Sequence, residues 1–100
     1  MLTKKDVIHI LKEEQGVLRQ RFGVKRMAIF GSFATDTATG ESDVDIFLEF
    51  EKPIGLRFMQ LADYLESKLR KKADILTPGG LQGIRIKRIA EEIRRSLVYV

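Results

Sequence analysis

Two aspartates two positions apart, Asp43 and Asp45, open the run Asp43-Val44-Asp45-Ile46-Phe47-Leu48-Glu49-Phe50. In a β-strand, residues two apart project from the same face. Both carboxylates then leave one side of the strand, with Cα atoms roughly 6.5–7 Å apart. Val44, Ile46, Leu48 and Phe50 turn to the other side, which reads as the buried one. Like charges so placed repel, and a divalent cation between them removes the repulsion. Mg²⁺ suits this role, being held by one or two carboxylates together with substrate phosphates. Upstream, Gly31-Ser32 follows a short apolar run. Glycine admits a sharp turn and close ligand approach, and a helix starting at Ser32 would aim free N–H groups and a hydroxyl at a phosphate. A third carboxylate, Asp74 in Lys72-Ala73-Asp74-Ile75-Leu76, joins the first two if its strand pairs beside theirs. Three converging carboxylates make a site for one or two Mg²⁺ ions, able to clamp the attacking and leaving oxygens at phosphorus. One of them could also act as base toward an attacking hydroxyl. Each aspartate alone reads more simply as a strand-end charge facing water; the set is what suggests chemistry.

The elements that must position these groups follow from capping and periodicity. Thr3 caps a first helix, with Asp6 at its positive end. Val7, Leu11, Leu18 and Phe22 form its apolar face, and Gly23 ends it. A strand is expected over Arg26–Phe30, a second over 43–50, and a turn at Glu51–Gly55. A helix over Leu56–Arg70 buries Phe58, Ala62, Leu65 and Leu69. A third strand spans Ala73–Leu76, and Thr77-Pro78-Gly79-Gly80 breaks it. The last helix is expected over Gly83–Arg95, with Ile86, Ile89, Ala90, Ile93 and Leu97 inward. Val98-Tyr99-Val100 forms an apolar tail, either a fragment of strand or a partner contact. His9 reads as a surface or boundary residue. The order implies an α/β (α+β) fold, with a small mixed sheet and helices packed mainly on one face.

The 100 residues predict a single domain over 1–100, 44% apolar and 32% charged, as in ordinary globular proteins. The absence of cysteine excludes disulfides and thiolate zinc sites. No apolar run approaches the ~20 residues of a membrane span, and the N-terminus lacks a signal core, so a cytoplasmic location is expected. The net charge of +4 is unevenly spread. An acidic centre over 31–54 lies between basic ends, which suits a metal and a polyphosphate sharing one site. The basic pI permits nucleic-acid contact. With two Tyr, no Trp and no interleaving of basic and aromatic residues, direct nucleic-acid binding is not expected.

The segment GSFATDTATGESDVD, of the form G-S-x10-D-x-D, resembles the nucleotidyltransferase signature of the DNA polymerase β superfamily. The chain's length is similar to that of the minimal nucleotidyltransferases, and the resemblance covers essentially all of it. It implies a polymerase β-like fold, metal binding and catalysis by Asp43, Asp45 and Asp74, and a triphosphate held at Gly31 and Ser32. It implies Mg²⁺ (one or two ions) as cofactor and ATP as substrate. Many members are antitoxins of HEPN ribonuclease toxins, which implies transfer of AMP to a tyrosine of such a toxin. Ala34-Thr35-Asp36 stands where many minimal members carry Ala-Arg-Gly. So short a chain leaves no room for an acceptor-binding domain, so a partner chain is expected to bring the acceptor. Two alternatives stand beside this: a non-catalytic module that neutralises its partner by contact alone, and transfer to a small molecule. Homo- and hetero-oligomers both remain open.

Overall fold

The computed structural model describes residues 1–100. Helix α1 spans Lys4–Glu13, capped by Thr3 and Asp6 in a reciprocal box. Thr3 Oγ1 accepts from the Asp6 amide at 3.2 Å, and the Asp6 carboxylate accepts from the Thr3 amide at 2.9 Å. The expected single first helix is in fact two: α2 spans Gln15–Phe22. The break at Glu14 lies beside Gly16, a residue poorly suited to a helix interior, and the Glu14 carboxylate there accepts the Tyr64 hydroxyl. Gly23 closes α2 at φ 71°, as its type predicts.

Strand β1 spans Val24–Phe30, helix α3 Gly31–Ala34 and strand β2 Val44–Phe50. A 3-10 turn at Gly55–Arg57 leads into α4, Phe58–Leu69, so Leu56 lies outside the helix expected to include it and is 98% exposed. Strand β3 spans Ala73–Leu76, the range expected. The Thr77-Pro78-Gly79-Gly80 segment does more than end β3. Thr77 caps a five-residue helix α5, Pro78–Gln82, accepting from the Gly80 amide; a capping Thr before Pro at the first position is a helix start. The last helix, α6, consequently begins later than expected and spans Lys87–Ser96. The tail is a strand, β4, Val98–Tyr99.

The sheet order is β3-β2-β1-β4. β1 pairs antiparallel with β2 and β4, and β2 parallel with β3. One face carries the main core. Met27 and Ile29 of β1 and Val44, Ile46 and Leu48 of β2 meet Val7 and Leu11 of α1, Leu18 and Phe22 of α2, and Leu61, Leu65 and Leu69 of α4. The opposite face is partly covered too. Ala28 and Phe47 pack with Leu81 of α5 and Ala90 of α6 in a smaller cluster. Of the residues expected on the inner side of the last helix, only Ala90 is buried, while Ile86 is 55% exposed. Helices thus lie mainly on one face, with a lighter cover on the other.

Candidate active site

Strand alternation fixes which face the aspartates share. Val44, Ile46 and Leu48 are buried in the main core, so Asp45, Phe47 and Glu49 belong to the opposite face. Asp43 lies one residue before β2, and alternation carried back one step puts it with Asp45. The parallel register pairs Asp45 with Asp74 and Val44 with Ala73, so Asp74 stands on the same face one strand away. The three carboxylates predicted to act together are brought together by the backbone.

Several contacts hold the segments that carry them. The Val44 amide donates to the Lys72 carbonyl at 3.0 Å. The Lys71 ammonium donates to the Gly40 carbonyl at 2.8 Å, tying the loop before Asp43 to the entrance of β3. Glu66 of α4 accepts from the Ala73 amide at 2.8 Å, which fixes the residue before Asp74. Just ahead of Asp43, the Thr39 amide donates to Ser42 Oγ at 2.9 Å and closes a tight turn.

The Gly-Ser turn meets the acids directly. Phe30, the last residue of β1, is the register partner of Asp45, so Gly31 follows immediately beside it. Gly31 has φ +70°, and a Cβ placed on it would overlap Asp45 Oδ2 and stand 3.0 Å from its Cγ. Glycine is required twice over, by its left-handed backbone and by the carboxylate lying against it. Ser32 sits half-buried in the first turn of α3, which Phe33 anchors in the core.

Two threonines of the following loop carried no visible signal in the sequence. The Thr35 hydroxyl donates to the Gly31 carbonyl at 3.3 Å and shares a hydrogen bond with Thr37 at 2.9 Å. The Thr37 amide donates to the Ser32 carbonyl at 2.9 Å. Local side-chain bonds of this kind, made by Ser, Thr and Asp, lock turns, and here they lock the turn beside the acids. Asp36 has φ +60°. It therefore occupies a conformation that glycine takes freely and aspartate tolerates. Arg85 and Lys87 line a groove with Leu81, Gln82 and Glu91, between α5 and α6, and α6 also packs against α3.

Burial pushes the Asp45 carboxyl above its ordinary range, and the Asp74 and Asp43 charges push it the same way. No cation offsets this, because the ion pairs join His9 to Glu13, Arg26 to Glu49 and Arg95 to Glu91. The side chains do not close into a ready-made cluster of three ligands, although the strand register sets the carboxylates on one face. The donor set still fits a hard divalent cation. It offers carboxylate oxygens only, mutually repelling, with the most crowded of them partly desolvated. A cation there would relieve the repulsion while presenting its remaining positions to phosphate.

Residues 11–97 match the nucleotidyltransferase domain family. A Methanocaldococcus jannaschii protein, provisionally named a protein adenylyltransferase, is 39% identical over the whole of both chains. The protein adenylyltransferase MntA of Thermococcus cleftensis is 38% identical, over 100% of this chain and 98% of that one. Among solved structures, one described as a minimal nucleotidyltransferase superposes with a TM-score of 0.73 at 26% identity, covering 97% of this chain and 95% of that one. A toxin–antitoxin crystal structure with AMP-PNP shares the fold, with a TM-score of 0.63 at 18% identity over 98% of this chain and 72% of that one.

Proposed function

The chain belongs to the nucleotidyltransferase domain family, in its minimal form, and we propose that it transfers AMP from ATP to a protein hydroxyl. The acceptor is a tyrosine of a partner toxin of the HEPN class, and the modification silences it, so that this chain is the antitoxin of a pair. The names of its relatives support the reaction class, and the toxin–antitoxin neighbour of the same fold supports the setting. The observation that carries the reading is the close approach of the Asp45 carboxylate to the Gly31 backbone, which sets the Gly-Ser turn against the aspartates.

Asp43, Asp45 and Asp74 would hold Mg²⁺, and Gly31 and Ser32 would hold the triphosphate. Magnesium, when bound, neutralises the triphosphate charge and stabilises the oxygens that attack and leave. The chain's own residues do the rest. The locked turn at Gly31-Ser32 fixes the phosphates, so that the α-phosphorus faces the acid side of the sheet. An acceptor hydroxyl oxygen forms a bond to that phosphorus as the bond to the bridging oxygen of pyrophosphate breaks. One of the three carboxylates takes the hydroxyl proton, and pyrophosphate leaves with the electron pair.

The test is incubation of the chain with labelled ATP, Mg²⁺ and its candidate toxin. Label is expected on a toxin tyrosine, and is expected to vanish with Asp43→Asn or Asp45→Asn. Neutralisation of the toxin by those variants, without label in the wild type, would instead establish the contact-only antitoxin. Label on neither protein, with no neutralisation, would overturn both readings.

A further inference from the structure

Two of the three aspartates sit where the sheet itself holds them least. Asp43 lies one residue before β2, and Asp74 belongs to β3, a strand of only four residues. Side chains from one short stretch, the end of α4 and the corner after it, reach the segments that carry both. Glu66 accepts from the Ala73 amide at 2.8 Å, beside Asp74. The Lys71 ammonium donates to the Gly40 carbonyl at 2.8 Å, ahead of Asp43. Arg70 makes the corner between them at φ +56°, a left-handed turn that ends α4 and brings Lys71 round.

The Lys71 contact is the less expected of the two. A lysine near carboxylates ordinarily pairs with one of them, yet Lys71 joins none of the three ion pairs of the chain. Its half-buried side chain is committed to a neutral carbonyl instead. That carbonyl belongs to a stiff turn. The Thr39 amide donates to Ser42 Oγ at 2.9 Å, the Ser42 amide to the Thr39 carbonyl at 3.1 Å, and the Glu41 amide to Thr39 Oγ1 at 3.3 Å. Residues Thr39 to Ser42 therefore move as one piece. Lys71 holds that piece at Gly40, and the Val44 amide, donating to the Lys72 carbonyl at 3.0 Å, pins the chain just past Asp43. Asp43 hangs between two tethers, and both are anchored just before Asp74.

We propose that Lys71 is a positioning residue for the aspartates: through the Gly40 carbonyl it keeps Asp43 within reach of a cation shared with Asp45 and Asp74. The inference rests on the reading of these three residues as a Mg²⁺ site. It carries a sign that charge alone does not produce. Removing a positive charge near three carboxylates favours a bound cation, but at about 10 Å through water and salt that gain is a few-fold at most. Removing a tether that places one of the ligands disfavours the cation, and outer supports of metal ligands are typically worth about 10–100-fold in affinity. Loosening therefore wins.

The experiment titrates the isotopically labelled full chain with Mg²⁺, following the Asp45 and Asp74 amides, and measures hydrogen exchange without metal. Lys71→Met keeps the apolar stem and removes the donor. It should bind Mg²⁺ about tenfold more weakly and exchange the Val44 amide about tenfold faster, with the Leu48 amide unchanged. Lys71→Arg restores a donor and should recover both. Lys72→Met removes a neighbouring exposed charge that joins no ion pair, and should bind Mg²⁺ no more weakly than the wild type. Adenylyl transfer by Lys71→Met should return close to the wild-type rate at saturating Mg²⁺, whereas Asp43→Asn should stay low. Mg²⁺ binding by Lys71→Met at wild-type strength or tighter would overturn the proposal. So would equal weakening in Lys72→Met, or an unmoved Val44 amide. A wild type that takes up no Mg²⁺, with Val44 still freed in Lys71→Met, would instead remove the metal reading and support the tether.

Discussion

Asp45 and Glu49 sit four residues apart on the same face of the same strand, and their surroundings treat them in opposite ways. Glu49 receives two bonds from the Arg26 guanidinium, at 2.9 and 2.7 Å, and these hold its carboxyl below the ordinary range. Asp45 has no such partner; burial and two neighbouring aspartates push its carboxyl upward. One end of the strand has its charge balanced within the chain, and the other is left with a surplus. The difference teaches that residue type does not mark a working carboxylate. A charge gathered with its like, against the stability of the fold, does.

The largest expected break of this contrast is catalytic. Asp45→Asn should lower adenylyl transfer by roughly 10²–10⁴-fold, whereas Glu49→Gln should leave the rate within a few-fold of wild type, as initial rates with labelled ATP would show. Next is Gly31→Ala, which adds a methyl group where the Asp45 carboxylate lies and puts a side chain on a left-handed backbone. It should destabilise the fold by about 2 kcal/mol and abolish transfer, as denaturant melts and rate assays together would show. Third, Mg²⁺ should raise the Tm of the wild type more than that of Asp45→Asn, because the variant has lost one carboxylate and with it part of the surplus charge.

The smallest effect sharpens the contrast through pH. The Asp45 carboxyl titrates above its ordinary value of 3.8 in the folded chain. Its contribution is therefore complete below that value and is lost as pH rises through the folded one. In chelator, Asp45→Asn should melt above the wild type at pH 7, and the gain should disappear near pH 3. Glu49 runs the other way. Its folded value lies below the ordinary 4.5, so its contribution is present above 4.5 and fades as pH falls through the folded value. Glu49→Gln should melt slightly below the wild type at pH 7 and level with it in acid, since solvent screens so exposed a pair.

The shared face of the three aspartates was legible because its signals are local. Lys71-Lys72 and Thr77-Pro78 bracket β3 on both sides, and alternation then assigns Asp43, Asp45 and Asp74 to one face once β3 lies beside β2. The capping box at Thr3 and the turn at Gly23 are equally local. What escaped depends on the rest of the molecule. The break at Glu14 coincides with a contact from Tyr64, fifty positions away. Helix α5 is concealed by two glycines that suggest a loop, although Thr77 and Pro78 before them are a helix start. Ile86 and Ile89 follow helical spacing but are 55% and 39% exposed, while Ala90 beside them is buried in the small cluster with Leu81 of α5. The hydroxyls of Thr35 and Thr37 left no periodic trace at all.

The pairing of Val98 and Tyr99 with Ile29 and Ala28 has a consequence for how the molecule is made. On the ribosome, β1 emerges well before β4, so its outer side stays unpaired until the helices between them have been made. Through that interval it is a half-clothed ribbon, and a nascent chain halted near α6 would be a target for chaperones and proteases.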